Sequence, residues 1–231
     1  MLEIRTFKYP LFSIGVVLVM IAMMTIFTMN VMLPMFLQWA LKTTTFVAAM
    51  TLLPATLTNG AVTLIGGKVY DKLGAKILIP AGFAIISVSL FILSRLTINT
   101  SLAAIIVTYM VVCMGVGCAM TPSQTNSLNQ LPKEYYPHGV AILNTLQQLS
   151  AAIGSALFIG IMSASQQKAL NNLVSEQAAV ATGFSTATLV LVGVVLIGLC
   201  LSFTLKFGNK KFPLPSELNK QTLKWIGLKM K

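Results

Sequence analysis

The sequence predicts an all-α, polytopic membrane protein with six transmembrane helices, and three observations carry that prediction. The first is composition: of 231 residues, 56% are hydrophobic and only 9% charged, whereas soluble chains run about 45–50% apolar and about 25% charged. The second is spacing. Charged residues leave six uncharged windows, at 9–41, 43–67, 77–94, 96–132, 135–167 and 177–205. The shortest has 18 residues, and a hydrocarbon layer is crossed by about 20 apolar residues, with a range of about 17–25. The third is the position of the lysines and arginines, which stand at the ends of the apolar stretches. Helices are preferred to strands because the windows lack period-2 alternation and exceed the roughly 9–11 residues of a barrel strand.

Taken in order, the spans fall at about 12–37, 46–67, 75–94, 100–121, 139–162 and 183–205. The first is rich in methionine (Met20, Met23, Met24, Met29, Met32, Met35) and carries Asn30 and Gln38. Flexible thioethers suit either packing or a permissive apolar binding surface. The second carries Asn59. The fourth offers Thr108 and Tyr109, then Gly115 and Gly117, and polar residues Thr121, Gln124 and Asn126 near its end. The fifth holds Asn144, Gln147 and Gln148, with Ser150, Ala151 and Gly154 as small residues that let helices approach. The third and sixth contain no Asn or Gln. Pro34, Pro54, Pro80 and Pro122 lie within or at the ends of spans, which a bundle tolerates where neighbours satisfy the freed carbonyls. Residues 1–205 thus form one bundle, and 206–231 a basic tail. Phe212-Pro213-Leu214-Pro215 breaks that tail from the last span, and Ser216 is placed to cap a short helix. Leu218, Trp225, Ile226 and Met230 beside Lys220, Lys224 and Lys229 fit either an anionic membrane surface or a solvated tail.

The net charge of +11 raises nucleic-acid binding as an alternative, but a basic soluble face interleaved with stacking aromatics is missing. Placing the N-terminus in the cytoplasm puts 13 of the 16 Lys and Arg on the inner side, leaving Lys42, Arg95 and Lys168 outside. Both termini are therefore expected to be cytoplasmic. No cleavable signal segment is expected, since a full-length span follows Met1–Pro10. Cys113, Cys118 and Cys200 fall inside spans and read as small packing residues rather than a disulfide framework.

Chemistry-bearing groups are few. Glu3, Asp71, Glu134, Glu176 and Glu217 all stand outside the span centres. Proton-coupled transport normally uses an intramembrane carboxylate or histidine, and the one histidine, His138, begins the fifth span as an interfacial residue or a proton relay. No nucleophile–base pair, phosphate loop or metal-ligand cluster is recognisable, so no enzyme activity, metal or cofactor is expected. The amides are more telling. Facing lipid, they would leave donors unsatisfied, so their restriction to spans one, two, four and five turns those spans toward a polar interior and spans three and six toward lipid. Asn144 and Gln148 are four apart and share a helix face. Any one amide alone reads more readily as interhelical hydrogen bonding, and it is the pattern across the six spans that favours a cavity.

Between spans two and three the chain reads Gly66-Gly67-Lys68-Val69-Tyr70-Asp71-Lys72-Leu73-Gly74-Ala75-Lys76, taken as a connecting loop. Gly67, Asp71, Lys72, Gly74 and Lys76 resemble the G-x-x-x-D-[R/K]-x-G-x-[R/K] signature of the major facilitator superfamily. Further matches run through Gly115-x-Gly117 and Pro122, Thr125-Asn126-Ser127-Leu128, Leu131-Pro132, Gly139-x-Ala141-x-x-Asn144-Thr145-x-x-Gln148 and Ala151-x-Ile153-Gly154-x-Ala156. Leu33-Pro34-Met35-Phe36-Leu37-Gln38 and Leu53-Pro54 fit as well. Over about residues 2–205 the chain resembles the C-terminal half of the fourteen-span drug:proton antiporters.

That resemblance implies part of a bacterial multidrug exporter in the cell membrane. Its expected partners are lipid, amphiphilic drugs, and an N-terminal half or a second copy of the chain. In such a half the first and fourth spans line the central cavity, the second and fifth flank it, and the third and sixth lie outermost, the division the amides gave by themselves. Asn30, Gln38, Asn59, Asn144 and Gln148 are accordingly the candidate cavity residues. The antiporter signature and the coupling acids belong to the other half, so this chain is expected to be inactive alone, as a split or truncated half. An inactive or regulatory six-span fragment and a homodimeric six-span transporter are the alternatives.

Overall fold

The computed structural model describes residues 4–173 and 175–204, without the side chains of 4, 5, 67, 68 and 71–73. The tail at 206–231, with its expected membrane-surface helix, lies outside the described residues. Six helices account for the spans: α1 (Pro10–Trp39), α2 (Thr45–Leu73), α3 (Ala75–Leu93), α4 (Leu102–Leu128), α5 (Tyr136–Asn171) and α6 (Glu176–Thr204). Short 3-10 turns at Ile4–Lys8 and Lys133–Tyr135 precede α1 and α5. All six are long and apolar enough to cross a membrane, and no strand occurs among the described residues.

Local chemistry starts and stops these helices. Thr44 accepts a hydrogen bond from the Val47 backbone N–H at 3.3 Å, and Ser101 accepts one from Ala104 at 3.4 Å. Each thereby occupies a donor that a helix N-terminus otherwise leaves free. Pro10 opens α1 and Pro137 lies in the first turn of α5, where a missing N–H costs nothing.

The helices form two layers. In the front layer α2 packs on α4, α4 on α1, and α1 on α5; behind them α3 covers α4, α6 covers α1 and α5, and α3 and α6 pack on each other. The first helix of each three-helix set is therefore clasped by the second helix of the other set. Phe36 of α1 meets Phe184 of α6 with ring centroids 4.7 Å apart. Phe83, Leu18, Ile79 and Met32 are completely enclosed. Met29 and Met32 are core residues, and Met20, Met24 and Met35 pack against the core from partly buried positions, so most of the methionine cluster on α1 serves packing.

Lipid gives helices no hydrophobic reason to associate, so contact depends on how closely backbones approach. At the α3–α4 crossing a Cβ added to Gly82 would stand 2.8 Å from both the backbone N and the Cβ of Ala119. One added to Gly115 would stand 2.8 Å from Ile86 Cγ1 and 3.0 Å from the Gly82 carbonyl oxygen. Gly117, two residues on, faces the opposite neighbour, where an added Cβ would stand 3.0 Å from Val62 of α2.

The structure corrects two expectations. Several helices outrun the spans read from apolarity: α4 continues past Pro122 to Leu128, and α5 runs from Tyr136 to Asn171. A hydrocarbon core of about 30 Å limits only the apolar part, whereas a helix propagates until its hydrogen-bond ladder is broken. Pro122 removes one donor, to the Cys118 carbonyl, and Ser123 donates to the adjacent Ala119 carbonyl at 2.7 Å. The second correction concerns the connection after α2. Gly66, Gly67 and the backbone through Leu73 are helical, so the eleven-residue loop shrinks to Gly74. Its φ of +74° and ψ of 162° are open to glycine and strained for any residue with a Cβ.

Overpacking a tight crossing costs about 1–3 kcal/mol. G115A is expected to lower stability in that range, measured by reversible unfolding in detergent micelles. G193A, at an α6 position with no atom within 4 Å of the added Cβ, is expected to be neutral or mildly stabilising through helix propensity.

Candidate functional site

α1 is enclosed by α4, α5 and α6 and touches α2, yet one narrow stripe along it stays open. Val17, Phe27, Asn30 and Val31 are exposed there, with Met20, Met24, Pro34 and Gln38 half-buried. Repetition at three and four residues is what confines these side chains to one side of a helix. Asn30 is the amide of this stripe.

The Tyr109 hydroxyl of α4 donates to Asn30 Oδ1 at 2.7 Å. The ring is 1% exposed, so the phenol spans the α1–α4 seam from inside and orients the amide at the surface. Asn30 keeps its Nδ2 without a partner among the described residues. Tyr109 is a polar residue of its span but is not among the candidates that the sequence singles out. Tyrosine is ordinary in a membrane helix, and nothing local marks a partner 79 residues away.

The other candidates divide by role. Asn59 of α2 is half-buried and donates from Nδ2 to the Cys113 carbonyl of α4 at 2.9 Å, so half of its amide is a tie between helices. Gln38, at the end of α1, accepts from the Thr45 hydroxyl at 3.2 Å through Oε1 and joins α1 to the start of α2. Asn144 and Gln148 are exposed one turn apart on α5, and neither has a hydrogen-bond partner among the described residues. Gln147, between them in sequence, is buried: one residue of helical rotation, about 100°, separates an inward from an outward amide.

Depth separates the candidates further. Gly154 of α5 meets Met24 of α1, which sets the register of these two helices. Asn30 lies beyond that contact toward Trp39, and Asn144 lies before it toward Tyr136. At a rise of about 1.5 Å per residue the two amides stand roughly 24 Å apart along the bundle. Asn59 sits near the Asn30 level, because its partner Cys113 is close to Tyr109 on α4. Of the connecting signature, Gly74 forms the turn and Lys76 is exposed on the first turn of α3. Gly67 falls within α2, and the side chains of Asp71 and Lys72 lie outside those described.

Residues 3–155 match the Major Facilitator Superfamily. The lincomycin resistance protein LmrB of Listeria monocytogenes is 43% identical over 167 residues, covering 72% of this chain and 36% of that protein. LmrB of Bacillus subtilis is 38% identical over 212 residues, covering 89% of this chain and 44% of its own length. The riboflavin transporter RibZ of Clostridioides difficile is 24% identical over 157 residues, covering 68% and 34%. The chain belongs to the major facilitator superfamily, a family of membrane transporters. It spans less than half the length of these curated relatives.

A hydrogen bond between membrane helices contributes about 0.6 kcal/mol on average, with a maximum near 1.7 kcal/mol. Y109F is expected to cost about that much in detergent unfolding, and N30A to cost no more. A double-mutant cycle in which the two losses simply add would remove Tyr109 as the group that orients Asn30.

Proposed function

We propose that this bundle supplies one wall of the translocation pathway of a multidrug efflux transporter working by drug:proton antiport. It operates with a second six-helix half, and its termini are cytoplasmic. The observation that carries the reading is the open stripe of α1: the helix most surrounded by its neighbours keeps one side uncovered, and that side holds Asn30 braced by Tyr109. A helix meant only for packing has no use for an oriented amide at its surface. Asn144 and Gln148 extend the polar wall toward the other end, Asn59 contributes its oxygen, and Gln38 stands at the rim. The apolar residues between them, including Val31, Phe27 and Met24, suit amphiphiles of varied shape, and the LmrB relatives are named for lincomycin resistance.

Charge placement supports the orientation, since the Gly74 turn and the α4–α5 connection fall at one end with Lys76 and Lys133. The uncovered side of α2, with Phe46, Met50, Leu53 and Leu57 exposed, supports a second half as partner, with the coupling acids residing there.

The test pairs this chain with an N-terminal half in cells lacking native exporters. One hydrogen bond of about 1 kcal/mol corresponds to roughly a fivefold change in affinity. N30A and N144A/Q148A are therefore expected to alter resistance to lincomycin and to a cationic dye by factors that differ about fivefold, at unchanged membrane abundance. A parallel fall in abundance would reduce these amides to helix-to-helix ties. Equal transport by vesicles holding only this chain would replace the two-half reading by the homodimer.

A further inference from the structure

The end of the bundle away from Gly74 has two adjoining depressions for which a drug pathway has no use. One, of about 400 Å3, is lined by Arg95 and Thr97 from the α3–α4 connection and by Thr182, Ser185 and Thr186 of α6. The other, of about 390 Å3, is lined by Ser165, Lys168 and Asn172 at the end of α5 and shares Thr182 and Thr186. They lie on the α6 side of the bundle, behind the layer that carries Asn30.

Their electrostatics are one-sided. Arg95 and Lys168 are both exposed, neither has an ion-pair partner among the described residues, and no carboxylate lines either depression. Glu176 begins α6 but points about 120° round the helix from Thr182. The Arg95 guanidinium lies over the Phe91 ring, 5.1 Å from its centroid, which positions the cation while leaving its N–H groups free. Lys168 in the last turn of α5 also complements that helix's dipole, but the dipole accounts for neither Arg95 nor the hydroxyls.

The hydroxyls have a defined polarity. Thr182 donates to the Ala178 carbonyl at 2.9 Å, Thr186 to the Thr182 carbonyl at 2.9 Å, and Ser185 to the Ser94 carbonyl at 2.6 Å. With those hydrogens used, each oxygen is left as an acceptor. The site therefore offers cations for an anion and acceptors for a donor, side by side. Deeper along the same side of α6 the character changes: Leu189, Val190 and Ile197 are exposed, and at Gly193 an added Cβ would meet nothing within 4 Å. The surface is polar at its mouth and apolar along its length, with a notch in the apolar part.

We propose that this surface binds an anionic glycerophospholipid whose head group carries free hydroxyls, in the manner of a phosphatidylglycerol. The phosphate is held by Arg95 and Lys168, the head-group hydroxyls donate to the oxygens of Thr182 and Thr186, and an acyl chain lies along Leu189, Gly193 and Ile197. A water-soluble phosphate ester would satisfy the cations but leave the apolar stripe unused. In the orientation proposed above, the site lies in the outer leaflet.

The experiment is native mass spectrometry of the full chain released from detergent after equilibration with phosphatidylglycerol, phosphatidic acid or phosphatidylcholine, or with glycerol 3-phosphate. Near a membrane surface two basic contacts are expected to favour phosphatidylglycerol over phosphatidylcholine by at least about tenfold. R95Q/K168Q is expected to bring the two lipids to parity, and R95K/K168R to restore the difference, which separates lost binding from lost folding. T182V/T186V is expected to keep discrimination against phosphatidylcholine and to lose that of phosphatidylglycerol over phosphatidic acid. Retention unchanged in R95Q/K168Q would overturn the proposal. So would glycerol 3-phosphate binding as tightly as the lipid, which would assign the site to a soluble phosphate ester.

Discussion

The close approach of α4 to both of its neighbours is the contact on which the bundle depends. Gly115 and Ala119 bring the α4 backbone against Gly82 of α3, and Gly117 brings its other side toward Val62 of α2. Without water to drive apolar surfaces together, helices in lipid are held by short-range dispersion, which falls away within an ångström of misfit. α4 thus fixes both a back-layer and a front-layer helix. The small residues that make this possible are spaced so that they serve opposite sides of one helix.

Polar interactions are added to that frame rather than building it. Most hydroxyls in the spans return their hydrogen to the preceding turn, as Thr25 does to Ile21 at 2.8 Å and Ser87 to Phe83 at 2.8 Å. Such bonds satisfy a buried group without joining helices. Among the described residues four contacts cross between helices instead: Tyr109 to Asn30, Asn59 to Cys113, Ser185 to Ser94, and Thr45 to Gln38. The first two are in the front layer at a similar depth, on either side of α4. The third fixes the start of α6 to the end of α3. The Thr28 and Thr188 hydroxyls are buried without a partner among the described residues, and nothing in the structure accounts for them.

Much of this was legible in the sequence because the membrane imposes it. Charge cannot sit cheaply in hydrocarbon, so uncharged windows mark spans; amides cannot face lipid cheaply, so Asn30, Asn59 and Asn144 mark front-layer helices, and their absence from α3 and from α6 beyond its first turn marks the back layer. Register was not legible. The partnership of Tyr109 with Asn30 and the separation in depth of Asn30 from Asn144 both follow from which small residues meet which neighbours. Gly154 against Met24 decides the latter, and no local pattern announces that contact. Helix ends were misread for a related reason: apolarity reports where lipid is, not where a backbone ladder stops. Gly66 and Gly67 resembled a turn by composition, but only Gly74 has the backbone angle that needs glycine.

The placement of charge at the span ends has an electrical consequence. A membrane potential does about 2.3 kcal/mol of work per 100 mV on each elementary charge carried across it. These spans have no acid, lysine or arginine at their centres, so when they tilt or slide they carry almost nothing for the field to act on. The bundle is a mechanical component that is close to electrically silent. Any steep voltage dependence in a movement of these helices would have to originate in charges outside their spans.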